Sequence, residues 1–298
     1  MKICKELKYL DNTAVGLGFF DGVHIGHQKL ISELVKTAKE NDLQSVLVTF
    51  KKSPAENFIE HVEYISTNSE KEKLIENLGV DYLFELEFDE ELMNLSAQDY
   101  LEKKIVEYLN PKYIFTGFNH TFGKNKLGTP EMLAEFATKY GYNYVQIPPI
   151  KYENEVVSST RIRGLLSKGD IEIANKLLHR PYSIEGIVKT GQKLGRTIGF
   201  PTINIEYPEQ KIKLPFGVYS VTVEIDNSCY KGIMNFGIKP TIKSVKKNPI
   251  AEVHILNFNK NVYNKPVKIN LLKWIREERK FGSIEELKSQ IEKDIKNA

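Results

Sequence analysis

At 298 residues with 41% apolar side chains, the chain is long enough for two separately cored domains. Its 42 basic and 39 acidic side chains leave a net charge of only +3, which argues against a dedicated nucleic-acid or membrane-surface binder. Two distant cysteines, Cys4 and Cys229, form no CxxC pair and suggest neither a disulfide framework nor a cysteine zinc site; the N-terminus has no apolar h-region and no apolar run is long enough to span a bilayer, so a soluble, cytoplasmic protein is expected.

In chain order, short apolar runs alternate with amphipathic ones through the first half. The expected strands are Ala14–Phe20, Ser45–Phe50, Tyr82–Leu86, Lys112–Thr116 and Asn143–Ile147. Between the first two, "HQKLISELVKTAKEND" repeats Leu30, Ile31, Leu34, Val35 and Ala38 at helical spacing. The pattern is that of a parallel sheet covered by helices. After about Pro181 the texture becomes β-rich: "SIEGIVK", "GVYSVTVEI", "YKGIMNFG", "AEVHILNF" and "PVKINLLKWI". In "VYSVTVEI", Tyr219, Val221, Val223 and Ile225 face opposite Val218, Ser220, Thr222 and Glu224, which suits a small barrel. The tail opens on a capping box, Ser283 to Glu286, and carries Ile284, Leu287 and Ile291 on one helical face. The domain boundary is expected within 177–186.

"GFFDGVHIGH", residues 18–27, ends the first expected strand and opens the first helix. It therefore sits at the C-terminal edge of the sheet, where open α/β folds bind ligands. A helix start offers unpaired N–H groups and a positive dipole end to phosphate, and His24 and His27 face one side of that turn. Imidazoles there can hydrogen-bond a phosphate whose charge grows during transfer. An HExxH zinc helix does not fit, because Ile25 and Gly26 occupy the interior. "VSSTRIR", residues 157–163, sets hydroxyls ahead of guanidinium groups, a phosphate-holding set that also serves as a helix N-cap.

"TGQKLGRTIGFPTINI", residues 190–205, has glycines for close phosphate approach, while the chain lacks a GxxxxGK[ST] loop. Thr202 and Asn204 offer neutral oxygens to a magnesium ion that also holds ATP. The base for an attacking hydroxyl is expected at Glu252, on one strand face with His254 and opposite Val253 and Ile255.

"HIGH" resembles the signature of the nucleotidylyltransferase superfamily. With "GFNHTFGKNKLG" and "VSSTRIR" in the first half, and "GRTIGFPTIN", "GVYSV", "MNFGIKPT" and "AEVHILNFNKNVYN" in the second, the chain resembles, nearly end to end, the bacterial bifunctional riboflavin kinase/FAD synthetase family. The resemblance implies a Rossmann-like α/β FMN adenylyltransferase domain over residues 1–179. It implies a six-stranded flavokinase β-barrel with a terminal helix over 180–298. The implied reactions are ATP-dependent phosphorylation of riboflavin to FMN, and adenylylation of FMN to FAD with release of pyrophosphate, both with Mg2+. Riboflavin, FMN, FAD and ATP/ADP are then the partners, without nucleic acid or membrane. His24 and His27 would contact the ATP phosphates, within a nucleotide site completed by Gly18, Asp21, Gly22, Gly26, Asn119, Ser159, Thr160 and Arg163. In the kinase, Gly191, Gly195 and Arg196 would form the loop over the nucleotide, Thr202 and Asn204 would bind metal, and Glu252 would be the base.

Three departures from the family pattern fall in the first half. "TFKKSP" stands for TFxPHP, so Ser53 replaces a histidine; Phe19 replaces the asparagine of GNFDG; and His120 replaces an aromatic. They raise the alternative of a riboflavin kinase whose N-terminal half keeps only the fold or binds flavin for regulation. A ligand-sensing module, and transfer of a nucleotide to another phosphate acceptor, are further alternatives, against which stand Glu252 and the barrel motifs respectively.

Overall fold

The computed structural model describes residues 1–57, 59–191, 194–238 and 249–298, so the end of "MNFGIKPT" and residues 192–193 of the glycine-rich stretch lie outside the described residues. The chain forms two compact units, Met1–Ser159 and Thr160–Ala298.

In the first unit, β1 (Lys2–Cys4), β2 (Thr13–Leu17), β3 (Gln44–Phe50), β4 (Tyr82–Leu86), β5 (Pro111–Gly117) and β6 (Asn143–Ile147) form one sheet in the order β1-β4-β3-β2-β5-β6. Every pairing in it is parallel. Alternation of side chains splits the core into two layers. Ala14, Leu47, Leu83 and Phe115 pack with Leu30, Ile31, Leu34 and Val35 of α1 (Ile25–Glu40). Val15, Val46, Val48, Phe84 and Ile114 pack on the other face against Tyr100, Leu101, Ile105 and Leu133. The apolar stripe of α1 is the one its spacing predicts. Strand order runs outward from β2 in both directions, through β3 on one side and β5 on the other. The crevice between β2 and β5 is therefore the switch point of the sheet.

The second unit begins within α7 (Ser159–Lys168), which α8 (Ile171–Leu178) follows; the labels continue from α1, α2 (Asn68–Glu76), α3 (Glu90–Asn94), α4 (Ala97–Asp99), α5 (Glu107–Leu109) and α6 (Pro130–Tyr140) of the first unit. After a two-stranded ribbon of β7 (Lys151–Tyr152) and β8 (Glu155–Val156) in the first unit come the strands of the second. These are β9 (Tyr182–Ile187), β10 (Thr202–Glu206), β11 (Gly217–Ile225), β12 (Ser228–Gly237), β13 (Ile250–Ile255) and β14 (Pro266–Glu277). They run antiparallel in the order β10-β13-β12-β11-β14-β9, and a bridge between Lys189 and Asn204 joins the two ends of the sheet. The barrel interior is apolar, with Tyr219, Met234, Phe236, Val253 and Leu271 fully buried.

A short α9 (Leu194–Thr197) precedes β10, and helix α10 (Ile284–Lys296) is fixed to the barrel by Asp294. Its Oδ1 accepts from Arg276 Nε at 3.0 Å and its Oδ2 from Arg276 Nη2 at 2.7 Å. A paired guanidinium is what allows a carboxylate to be 1% exposed. Ser283 caps the helix by accepting from Glu286 N, but Glu286 returns its carboxylate to Gly282 N rather than to Ser283, so the expected box is displaced by one residue.

Candidate active sites

The turn after β2 carries the first site. Phe20 is left-handed (φ 58°), Gly22 has φ 74°, and Val23 has φ 39°, a strained value for a β-branched residue. A Cβ on Gly22 would also lie 2.8 Å from Ile65 Cγ2, so glycine is required twice over. Asp21 holds this turn closed. Its Oδ1 accepts from Ile65 N at 2.9 Å and Ser66 N at 3.3 Å, Gly22 N donates to Ser66 Oγ at 3.1 Å, and Ser159 Oγ donates to the Asp21 carbonyl at 3.0 Å. Asp21, only 3% exposed, is thus engaged with backbone amides rather than turned outward to a ligand.

His24 is the N-cap of α1, and its Nδ1 accepts from Gly26 N at 3.2 Å and His27 N at 3.4 Å. An Nδ1 that accepts leaves the ring proton on Nε2, so neutral His24 is a donor on its far side. The His27 ring stacks on it, with centroids 3.7 Å apart, and meets Phe20 edge-on at 5.3 Å. Burial, with the neighbouring His24 second, holds the His27 pKa well below the usual histidine range, so the ring is neutral at physiological pH. Its Nδ1 is buried without a hydrogen-bond partner, a cost that a polar partner would remove.

Gly18 N donates to Val48 O at 3.2 Å at the end of the strand pair. Asn119 is exposed just past the end of β5, across the switch point from the histidine turn. Next to it His120 stacks on Phe122 at 5.8 Å, its Nε2 buried and unpartnered, and burial lowers its pKa to about 4. Thr160 and Arg163 belong to the second unit, where Arg163 Nη2 lies 3.4 Å from Thr160 Oγ1 in the first turns of α7.

The second site is a cavity of about 610 Å³ in the barrel unit, lined among others by Gly195, Thr202, Asn235, Glu252, Glu278 and Phe281. Register places Asn204 opposite Glu252 and Thr202 opposite His254. Thr202 Oγ1 donates to Glu252 Oε1 at 2.8 Å. His254 Nδ1 lies 2.8 Å from Pro201 O, and Phe200 meets the His254 ring edge-on at 5.4 Å. Gly191 permits the approach of Asn204: a Cβ there would be 2.4 Å from Asn204 Nδ2. Arg196 lies 5.9 Å over the Tyr263 ring and its Nη2 donates to the phenol at 3.3 Å. Gly191, Arg196 and Asn204 are not among the residues lining the cavity, whereas Gly195, Thr202 and Glu252 are.

Sequence reasoning missed the far wall. Asn235 Nδ2 donates to Glu278 Oε1 at 3.1 Å, and Phe281, Leu287 and Ile291 close that side from the end of the barrel and α10. The α10 stripe of Leu287 and Ile291 was legible, but a helix packed on a core and a helix closing a cavity have the same periodicity.

Among the described residues no cluster of three or more His, Cys, Asp or Glu could hold a metal, and no helix is long and apolar enough to cross a membrane. The neutral side-chain oxygens of Thr202 and Asn204, two residues apart on β10, would suit an Mg2+ shared with phosphates.

Comparison with known proteins agrees with this division. Residues 6–161 match the FAD synthetase family model and residues 178–298 the riboflavin kinase model. Curated relatives described as bifunctional riboflavin kinase/FMN adenylyltransferase include one from Buchnera aphidicola (Schizaphis graminum), 40% identical over 97% of this chain and 93% of its own. Another, from Bacillus subtilis, is 38% identical over 96% of this chain and 91% of its own. A crystal structure from Streptococcus pneumoniae, described as a macrolide-efflux protein, superposes with a TM-score of 0.90 at 32% identity, covering 99% of this chain and 97% of that one. With both family domains present in order and bifunctional relatives matching nearly end to end, the chain belongs to the bifunctional riboflavin kinase/FMN adenylyltransferase family, and makes FMN from riboflavin and FAD from FMN with ATP.

Proposed function

We propose that riboflavin is phosphorylated in the barrel cavity with Glu252 as the base. The observation that carries this reading is the 2.8 Å hydrogen bond from Thr202 Oγ1 to Glu252 Oε1 inside a cavity of small-molecule size. Glu252 accepts the proton of the riboflavin 5′-hydroxyl as its oxygen bonds to the γ-phosphorus and the bond to ADP breaks. Thr202 and Asn204 would hold Mg2+, and Gly191, Gly195 and Arg196 belong to the loop over the nucleotide. When bound, the ion neutralises charge that grows on the transferring phosphoryl group.

FAD synthesis is assigned to the histidine turn. An FMN phosphate oxygen attacks the α-phosphorus of ATP and pyrophosphate leaves. His24 and His27 donate hydrogen bonds to the phosphates as neutral imidazoles, Gly18, Gly22 and Gly26 keep the backbone close, and Asp21 shapes the turn. Asn119 serves the flavin–nucleotide side, and Ser159, Thr160 and Arg163 hold the triphosphate. In this reading the working division is 1–179 and 180–298, later than the compact units divide, so that α7 and α8 are counted with the adenylyltransferase. The protein works in the cytoplasm.

The test is Glu252→Gln, assayed for FMN formation from riboflavin and, separately, for FAD formation from supplied FMN. The first is expected to fall by about 10²-fold or more, the second to stay. Undiminished FMN formation would remove Glu252 from the mechanism.

A further inference from the structure

The departures from the family pattern at Phe19 and Ser53 meet at one side chain, Tyr64. The Tyr64 phenol oxygen accepts from Ser53 N at 2.9 Å and its O–H donates to Glu56 Oε1. Its ring lies 5.7 Å from that of Phe19, and the ammonium of the buried Lys71 lies 5.1 Å from the centre of the Phe19 ring. Lys71 Nζ in turn donates to Phe50 O at 3.1 Å, at the end of β3 where "KKSP" begins.

Ser53 starts a helical turn over Pro54–Asn57: its Oγ accepts from Ala55 N at 3.2 Å and its carbonyl from Glu56 N at 2.9 Å. The phenol therefore grips both ends of that turn, the first residue by its amide and the third helical residue by its carboxylate. Tyr64 also directly precedes Ile65 and Ser66, whose amides are clamped by Asp21 of the histidine turn. Burial, followed by the Glu56 carboxylate, pushes the phenol pKa up, so the O–H stays a donor throughout any practicable assay range.

We propose that Tyr64 is a positioning residue for FAD synthesis, holding the loop after β3 against the histidine turn after β2 at the same sheet edge. A histidine at residue 53 is then not required to order that loop, because the grip is on the Ser53 backbone amide and on Glu56. The proposal rests on the assignment of FAD synthesis to the histidine turn.

The experiment compares Tyr64→Phe, which keeps the ring and removes the hydroxyl, with wild-type full-length protein. Steady-state FAD formation from FMN and ATP is measured beside FMN formation from riboflavin and beside tryptic cleavage after Lys51 and Lys52. The expected result is a fall of about tenfold in kcat/KM for FAD formation, carried by KM, with kcat within about twofold. Riboflavin phosphorylation stays unchanged and tryptic cleavage accelerates. A kcat/KM for FAD formation within twofold of wild type, or an equal loss in both activities, overturns the proposal. Should Tyr64→Phe fail to fold, Glu56→Gln, which keeps an acceptor of the same shape but without charge, carries the same expectation at smaller size. His27→Ala is run beside both: if it leaves FAD formation intact, the site assignment fails; if it abolishes FAD formation while Tyr64→Phe changes nothing, the Tyr64 proposal alone fails.

Discussion

The imidazoles of His24 and His27 lie face to face, 3.7 Å between centroids and 17° between planes, and the inner nitrogen of His24 is spent on capping α1. One ring thus has two jobs, ordering the helix start and presenting Nε2–H.

The two jobs are separable. Asparagine is among the best N-caps and can accept from the same amides, whereas it cannot present a donor where Nε2 lies. His24→Asn should therefore unfold within a few degrees of wild type and lose about 10²-fold or more in FAD formation, as loss of a preorganised donor does. His24→Ala should lose the same activity and about 1 kcal/mol of stability as well. Thermal unfolding and FAD formation, measured on both variants, check this.

Gly191 faces Asn204 so closely that alanine must displace the amide. Gly191→Ala is expected to raise KM for MgATP in riboflavin phosphorylation several-fold, with FAD formation from supplied FMN unchanged. Steady-state kinetics at varied MgATP test it, and an unaltered KM would remove Asn204 from the nucleotide and metal site.

Acid should destabilise the first unit through its buried histidines. His120 titrates at about 4 when folded against 6.5 unfolded, and His27 is lowered in the same direction. Between these values the unfolded chain binds protons that the folded chain refuses, so stability falls as pH drops below about 6.5, by up to ~1.4 kcal/mol per pH unit per histidine. Above pH 6.5 neither group contributes a slope. His120→Phe, which also removes an unpartnered buried nitrogen, should flatten the dependence between pH 6.5 and 4 and leave stability at pH 8 nearly unchanged or raised. Urea unfolding at a series of pH values is the measurement.

Much of this architecture was readable from pattern. Tyr82–Leu86, Asn143–Ile147 and Gly217–Ile225 fall where alternation and apolar runs put them, and α1 buries the stripe its spacing predicts. The alternation of β11 fails only at Val218 and Ser220, buried on the second face, where Val218 lines the cavity. Lys2–Cys4 was invisible because three residues with one half-buried side chain carry no period, and Thr202–Glu206 was read as a motif before it could be read as a strand. The site residues were legible where one short segment carries them, as in the histidine turn. Tyr64, Asn235 and Glu278 were not, since each acquires its role from a partner that only the fold brings to it: Ser53, eleven residues before Tyr64 in a loop without a period, and Asn235 and Glu278 for one another.

Two independent active sites on one chain should be joined by FMN alone. The most direct measurement incubates His27→Ala and Glu252→Gln, alone and mixed, with riboflavin, ATP and magnesium, and separates riboflavin, FMN and FAD over time. FMN without FAD is expected from the first variant, little of either product from the second, and FAD from the mixture, because FMN made by one is adenylylated by the other. A folded Glu252→Gln protein that cannot turn supplied FMN into FAD, and a mixture that yields none, would contradict it.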